Sequence, residues 1–358
     1  MKVCILGSSL SALTLAKALV NEKIKVDIFF SNKKNKISKS RTLGISKSNI
    51  DYFNNNIINI SSIAWKLKKI EILSDNLINE KILNFENNKD QLFSIIKNYQ
   101  LYNIINKSLL RSKLCKKINL GKKKLDINNY DLIINTDSSN FLTKKFFNKK
   151  IVKEYDSRAY TTIIKHKEIS NCVAVQIFTK KGPLAFLPIS KNETSIVFSI
   201  HNSKLNYNEN IINLINSYNF KYKIKSIEKI DSFKLKSLVL RSYYHDNILA
   251  FGDLLHRIHP LAGQGFNMTI RDIKNLIDII KERIGLGLPL DRFICNEFEK
   301  KVKNKNYIFS NGIDLIYEFF NLERKINHNI LPKAIKRIGN NSVLNKAFTK
   351  IADKGIIF

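Results

Sequence analysis

The first thirty residues leave this chain few folds to choose from. Lys2–Leu6 is a short apolar run of strand character. Gly7-Ser8-Ser9-Leu10-Ser11-Ala12 follows as a tight turn of small residues. Leu10, Leu13, Ala16, Leu19 and Val20 then recur at helical spacing, and residues 24–30 form a second apolar strand. A strand, helix and strand in that order predict two parallel strands joined by a right-handed crossover. The opening therefore predicts an α/β domain.

Further along, apolar spacing predicts helices over residues 41–53 and 89–111, a hairpin over 118–127, and a buried strand at 131–135. Short β-rich runs at 161–165, 173–179, 184–188 and 195–200 alternate with turns and predict an antiparallel sheet inserted into the α/β unit. Residues 247–252 return to an apolar strand. A helix is predicted from about Asn267, and the remainder to Phe358 reads as mostly helical.

Composition closes several other routes. Lys plus Arg is 61 and Asp plus Glu is 30, a formal net charge of +31, yet 44% of the 358 residues are hydrophobic. That is too apolar for a disordered basic tail. No apolar run reaches the length that a membrane-spanning helix requires. Met1 leads directly into a strand, so no signal peptide is expected. Lys, Asn and Ile all have AT-rich codons. The lysines are dispersed, as in Lys33-Lys34, Lys122-Lys123-Lys124, Lys149-Lys150 and Lys300-Lys301. Base composition accounts for such a bias; attraction to anionic surfaces is the alternative. Nucleic-acid binding rests on charge alone, with no recognition motif beside it. Cys4, Cys115, Cys172 and Cys295 are unclustered, which favours reduced thiols. His256 and His259 lack a Cys or carboxylate cluster in the sequence, so no metal is expected. No G-x-S-x-G elbow supports hydrolysis.

Two segments carry chemistry. The turn at Gly7 approximates G-x-G-x-x-G, with Ser9 in the second glycine position and Ala12 in the third. Such a turn lets backbone approach a pyrophosphate at a helix N-terminus, where free N–H groups favour anions. The acid that binds ribose would fall at Phe30. Its loss forfeits about 1.5–3 kcal/mol unless Ser31 or Asn32 compensates. The second segment, 250–272, runs Ala-Phe-Gly-Asp-Leu-Leu-His-Arg-Ile-His-Pro-Leu-Ala-Gly-Gln-Gly-Phe-Asn-Met-Thr-Ile-Arg-Asp. A strand delivers Gly252-Asp253 to its carboxyl end. Pro260 and Gly263-Gln264-Gly265 then expose backbone donors just before a helix.

That second segment resembles the G-D-x-x-H-x-x-x-P-x-x-G-Q-G-x-N signature of flavin-dependent aromatic hydroxylases, and most of all their ubiquinone-biosynthesis branch. The resemblance extends along nearly the whole chain. Arg41, in Ser40-Arg41-Thr42-Leu43-Gly44, resembles the family's FAD-contacting arginine segment. Asn98 resembles the start of a family helix. Asp137 matches the acid of the A-D-G strand end, with Ser138 in place of its glycine. Residues 178–188 (Phe-Thr-Lys-Lys-Gly-Pro-Leu-Ala-Phe-Leu-Pro) resemble the ubiquinone-branch marker F-T-x-x-G-P-L-A-x-L-P.

The resemblance implies a Rossmann-like FAD-binding domain (1–155 and 245–290), an inserted antiparallel β-sheet substrate domain (156–244) and a helical C-terminal region (291–358). It implies FAD contacts from Gly7, Ser9, Ala12, Arg41, Asp137, Gly252, Asp253, Pro260, Gly263, Gln264, Gly265 and Asn267. Phe186 and Leu187 are candidates for the substrate-pocket wall, with core packing the alternative. The implied reaction is hydroxylation of a polyprenylated phenol with O₂ and NAD(P)H, through a flavin C4a-hydroperoxide, and with no catalytic side chain assigned. A cytoplasmic protein, peripheral at a membrane or in a quinone-biosynthesis complex, goes with it. The alternatives are an FAD-dependent isoprenoid reductase, which the Gly-Pro-Leu-Ala segment disfavours, and a non-catalytic scaffold with the same fold.

Overall fold

The computed structural model describes residues 1–31, 38–75, 81–86, 91–120, 125–202, 210–259, 263–326, 350 and 353. Asn32, Pro260, the middle of the expected hairpin and most of the C-terminal region beyond Ile326 lie outside them.

Three sheets organise the described residues. The first has six strands in the order β16 (Tyr244–His245), β17 (Ile248–Ala250), β9 (Leu132–Asn135), β1 (Lys2–Leu6), β2 (Lys25–Phe30) and β8 (Cys115–Asn119). All its pairs are parallel except β16 with β17. The second runs β18 (His256–Arg257), β15 (Asp231–Leu240), β10 (Lys150–His166), β13 (Glu193–His201), β12 (Pro183–Pro188), β11 (Val173–Phe178), β5 (Lys69–Ser74) and β6 (Lys81–Glu86), with β14 (Ile224–Ile227) on β10. The third is small: β3 (Thr42–Ser46), β7 (Phe93–Lys97) and β4 (Trp65–Leu67). The helices are α1 (Leu10–Asn21), α2 (Lys47–Asn56), α3 (Asn98–Leu110), α4 (Phe141–Phe146), α5 (Ile211–Ser217), α6 (Gln264–Gly285) and α7 (Arg292–Ile326).

The opening folds as its pattern predicts, with β1 and β2 in parallel register from Lys2↔Lys25 to Leu6↔Phe29. Because parallel strands are covered on both faces, they read as continuous apolar runs. The largest core surrounds this sheet. It unites Val3 and Ile5 with Leu13 and Leu19 of α1, Leu101 and Ile105 of α3, Ile273 and Leu276 of α6, and Phe298 of α7.

Several expectations need correction. Residues 42–46 and 93–97 are strands, paired antiparallel from Thr42↔Lys97 to Ser46↔Phe93. Each runs directly into a helix, so one apolar spacing hides two elements. Residues 115–119 pair in parallel with β2, where a hairpin was expected. The insertion also draws in β5 and β6, which lie far ahead of the expected 156–244 segment; β5 lies parallel to β11. Helix α6 begins at Gln264, three residues before the expected start.

Candidate cofactor site

Of the predicted residues, Gly7, Asp137 and Gly252-Asp253 follow the carboxyl ends of β1, β9 and β17. This is where open parallel sheets bind ligands, at the reversal of strand order: β2 and β8 lie on one side of β1, and β9 and β17 on the other. Gly7 has φ +109, and a Cβ there would lie 2.4 Å from Thr136 Oγ1 and 3.5 Å from Asp137 Cβ. Thr136 is fixed by donating its hydroxyl to Leu6 O at 2.8 Å. Gly252 has φ +63, and its Cβ would lie 2.8 Å from Ser11 Cβ. Glycine is therefore demanded by both conformation and space at two of the three strand ends.

Ser9 has a defined local task. It is the N-cap of α1, its Oγ accepting from Ala12 N at 3.3 Å. A hydroxyl in the second glycine position thus satisfies one donor of the helix start. Ala12 is fully buried beneath it. Asp137 accepts from Ser139 N at 2.8 Å and Ser139 Oγ at 2.7 Å, so its carboxylate orders its own turn. Asp253, in a single helical turn after Gly252, is exposed. Asp27 takes no part: it accepts from Tyr130 Oη at 2.9 Å and pairs with Lys2 Nζ at 2.9 Å.

The turn at α6 is the second half of the site. Gly263 is left-handed (φ 64, ψ 23), and among the described residues no side chain caps the helix, which leaves first-turn N–H groups for a ligand. A Cβ on Gly263 would meet Gly44 N at 3.4 Å, so two glycine backbones touch here. Asn267, fully buried, bridges them. Its Nδ2 donates to Gly44 O at 2.9 Å, and its Oδ1 accepts from Ser46 N at 3.0 Å and Asn49 Nδ2 at 2.9 Å. Asn267 therefore holds the turn together with its side chain. Gly265 packs near Ile258, at 3.8 Å from its would-be Cβ. Gln264 is 3% exposed, and its Oε1 has no hydrogen-bond partner among the described residues. An orphaned buried amide, an uncapped helix start and two glycine cradles fit a bound dinucleotide with an electron-rich ring.

Arg41 precedes β3 with its guanidinium 4.2 Å from the Phe233 ring centroid. Its segment is tied to the second sheet by hydroxyls. Ser40 Oγ donates to Asp231 at 2.9 Å and bonds Thr161 Oγ1 at 3.0 Å; Thr42 Oγ1 donates to Ser195 Oγ at 2.9 Å. Hydrogen bonds from Ser38 and then Ser40 hold the Asp231 carboxyl below its ordinary range.

Phe186 and Leu187 do not share a wall. Strand alternation turns Phe186 into a cluster with Leu184, Ile196 and Tyr222. Leu187 packs instead with Leu67, Phe93 and Ile95 of the small sheet. Its register partner is Ser195, the residue bonded to Thr42. Leu187 thus lies on the face toward the Arg41 segment and Phe186 on the opposite one.

The sequence reading missed Gly44, His256 and Asp272 as parts of this construction. His256 Nε2 lies 2.6 Å from Asp272 Oδ2, with both side chains 2% exposed. A single carboxylate sixteen residues away is invisible to a search for local clusters.

A parallel sheet with glycine turns at its strand ends, joined to a broad antiparallel sheet, defines the fold of the flavin-dependent aromatic monooxygenases. A family model described as "FAD binding domain" matches residues 155–285. The structure of p-nitrophenol 4-monooxygenase PnpA from Pseudomonas putida DLL-E4 superposes with a TM-score of 0.77 at 11% identity, covering 99% of this chain and 98% of that one. Klebsiella pneumoniae HpxO complexed with FAD and uric acid gives 0.74 at 11% identity, covering 99% and 97%. In sequence, 3-demethoxyubiquinol 3-hydroxylase of Escherichia coli (strain K12) is 28% identical over 152 residues, 40% of this chain and 39% of that protein. Ubiquinone biosynthesis monooxygenase COQ6, mitochondrial, of Drosophila melanogaster is 23% identical over 301 residues, 70% of this chain and 63% of that protein. The chain thus spans between two fifths and two thirds of the length of these relatives. The FAD-binding-domain match and these relatives together support a likeness to the FAD-dependent hydroxylases of ubiquinone biosynthesis.

Proposed function

We propose that this chain adds one hydroxyl to the aromatic ring of a polyprenylated phenol, consuming O₂ and NAD(P)H and releasing water. The observation that carries this reading is the turn Gly263-Gln264-Gly265-Phe266-Asn267, uncapped and clasped to Gly44 at the mouth of the parallel sheet. The relatives named above, hydroxylases and monooxygenases of ubiquinone biosynthesis, supply the substrate class.

The bound FAD supplies electron transfer from the nicotinamide nucleotide and activation of O₂. The chain's own residues do the positioning. The turn formed by Gly7, Ser9 and Ala12 would let the pyrophosphate approach the N-terminus of α1. Asp137, Asp253 and Arg41 would help to hold the dinucleotide. The α6 turn, with the buried and unpartnered Gln264 Oε1, would hold the flavin ring. Leu187 and the apolar cluster around Leu67, Phe93 and Ile95 form the dry wall that excludes water from the reacting ring. Positioning of this kind contributes most where the reacting group is held near attack geometry.

A division of labour follows the sheets. In this reading residues 1–155 and 245–290, less the strands β5 and β6, would hold FAD, 156–244 with those strands would hold substrate, and helix α7 would brace both. The net charge of +31 supports residence at an anionic membrane surface, where a prenylated substrate dissolves. Among the described residues no helix is long and apolar enough to cross a membrane.

One observation favours a second reading, a non-catalytic relative: Phe30 stands at the end of β2 where a ribose-binding acid would serve. Deleting the gene and profiling quinone intermediates separates the two. Accumulation of an under-hydroxylated prenylphenol supports the enzyme; an unchanged quinone profile contradicts it.

A further inference from the structure

We infer that helix α7 is a working part of the cofactor site, gripping the flavin segment through two histidines, His256 and His259. The inference rests on the flavoprotein reading above and gives a task to a helix that carries no cofactor motif.

Both histidines lie between Asp253 and Gly263, the two halves of the site. His256, 3% exposed, joins Asp272 of α6 at 2.6 Å. The other carboxylate oxygen, Oδ1, accepts from Asn306 Nδ2 of α7 at 3.0 Å. His259, 1% exposed, stacks on Tyr317 of α7 with ring centroids 4.3 Å apart and planes at 29°. Tyr155 of β10 meets His259 edge-on at 5.0 Å, and its hydroxyl bonds Asp314 of α7. Tyr317 Oη in turn bonds Ser157 Oγ at 3.1 Å. Asn306 and Tyr317 are eleven residues apart, about three helical turns. Helix α7 thus holds the segment at two separate rungs.

The chemistry of these contacts argues for orientation. Burying a carboxylate and an imidazole carries a desolvation cost that two apolar side chains of similar size would not. What the polar arrangement adds is a fixed direction. Each ring or amide has one partner geometry, and that geometry sets where the chain leaves β18 and where α6 begins. Asn306 and Tyr317 are therefore positioning residues, acting on the cofactor only through Asp272 and His259.

The test compares thermal melting with and without added FAD, together with FAD affinity, for the wild type, Asn306→Leu, Tyr317→Ala and Tyr317→Phe. A ligand that binds only the folded state raises the melting temperature in proportion to its affinity. The expected result is a clear FAD-induced rise for the wild type, and a dissociation constant about tenfold or more weaker in Asn306→Leu and Tyr317→Ala, in line with other supporting residues. Their FAD-induced rise shrinks accordingly. Tyr317→Phe keeps the stacked ring and keeps the affinity. The two α7 positions are independent, so the failure of one variant to fold leaves the other to decide. If both variants lower the melting temperature equally with and without FAD, at unchanged affinity, α7 is packing alone and the inference falls. A wild type with no FAD-induced rise overturns the flavoprotein reading as well, which distinguishes the two failures.

Discussion

The Oδ1 of Asn267 accepts the backbone N–H of Ser46 at 3.0 Å, joining the first turn of α6 to the end of β3. The same side chain donates to Gly44 O at 2.9 Å. Two segments more than two hundred residues apart in sequence are thereby joined at the candidate cofactor site. Replacing Asn267 with Leu strands both backbone groups in a buried place, at about 1–3 kcal/mol for each unsatisfied group. Urea unfolding of Asn267→Leu is expected to show a clearly lower midpoint together with weaker FAD binding. An unchanged midpoint would remove Asn267 from this role.

Gly252 and Ser11 set a similar limit between β17 and α1. A methyl at Gly252 would sit 2.8 Å from Ser11 Cβ, in a left-handed conformation. Gly252→Ala is expected to cost about 1–3 kcal/mol from backbone strain, plus the clash. Ser11→Gly, made in the same chain, relieves the clash and not the strain. The double variant should therefore lose less than the sum of the two single losses. Additive losses would mean that the two residues do not press on one another.

At Ser9 the hydroxyl caps α1. Ser9→Ala should cost about 0.5–2 kcal/mol and Ser9→Gly only a few tenths. The glycine variant restores the familiar turn and leaves the backbone free to approach a phosphate. Its FAD affinity is expected to equal or exceed that of the wild type, measured by titration. A loss of affinity in Ser9→Gly would show that the hydroxyl itself contacts the dinucleotide.

The acid limb of stability carries a mark of Asp231. Hydrogen bonds from Ser38 and Ser40 keep its folded pKa below the ordinary value of 3.8. A carboxyl depressed in the folded state stabilises the fold above its unfolded pKa, and the contribution disappears as pH falls through the folded value. Wild type should therefore exceed Asp231→Asn in stability at neutral pH, with the gap closing as pH falls through the depressed folded value of Asp231. A gap independent of pH would assign the loss to packing.

Phe186 and Leu187 are neighbours with opposite faces. Phe186→Ala opens a cavity among Leu184, Ile196 and Tyr222, and should cost about 3–5 kcal/mol without altering substrate preference. Leu187→Trp should raise the KM for the prenylated phenol with little change in stability. A KM effect from Phe186→Ala alone would reverse the assignment of the two faces.

How much of this was legible in the sequence depends on the reach of each interaction. The βαβ opening was readable because its apolar residues follow local periodicity, and the α6 turn because its Gly263-Gln264-Gly265-Phe266-Asn267 run resembles a known signature. Strands β3 and β7 were not. Each is five residues long and passes without a loop into α2 or α3, so helical spacing appeared to run through both. The place of β5 in the large sheet depends on pairing with β11, about a hundred residues away, which no local pattern records. Asp272 and Asn306 likewise look like ordinary polar residues of two helices until the fold brings them to His256.

The reaction itself is the most direct test. Purified protein is loaded with FAD and given NAD(P)H, a prenylated phenol and isotopically labelled O₂. The account predicts a hydroxylated ring carrying one labelled oxygen atom, formed only when all the components are present. A product with unlabelled oxygen, or NAD(P)H consumption with no hydroxylated product from any prenylated phenol supplied, would contradict it.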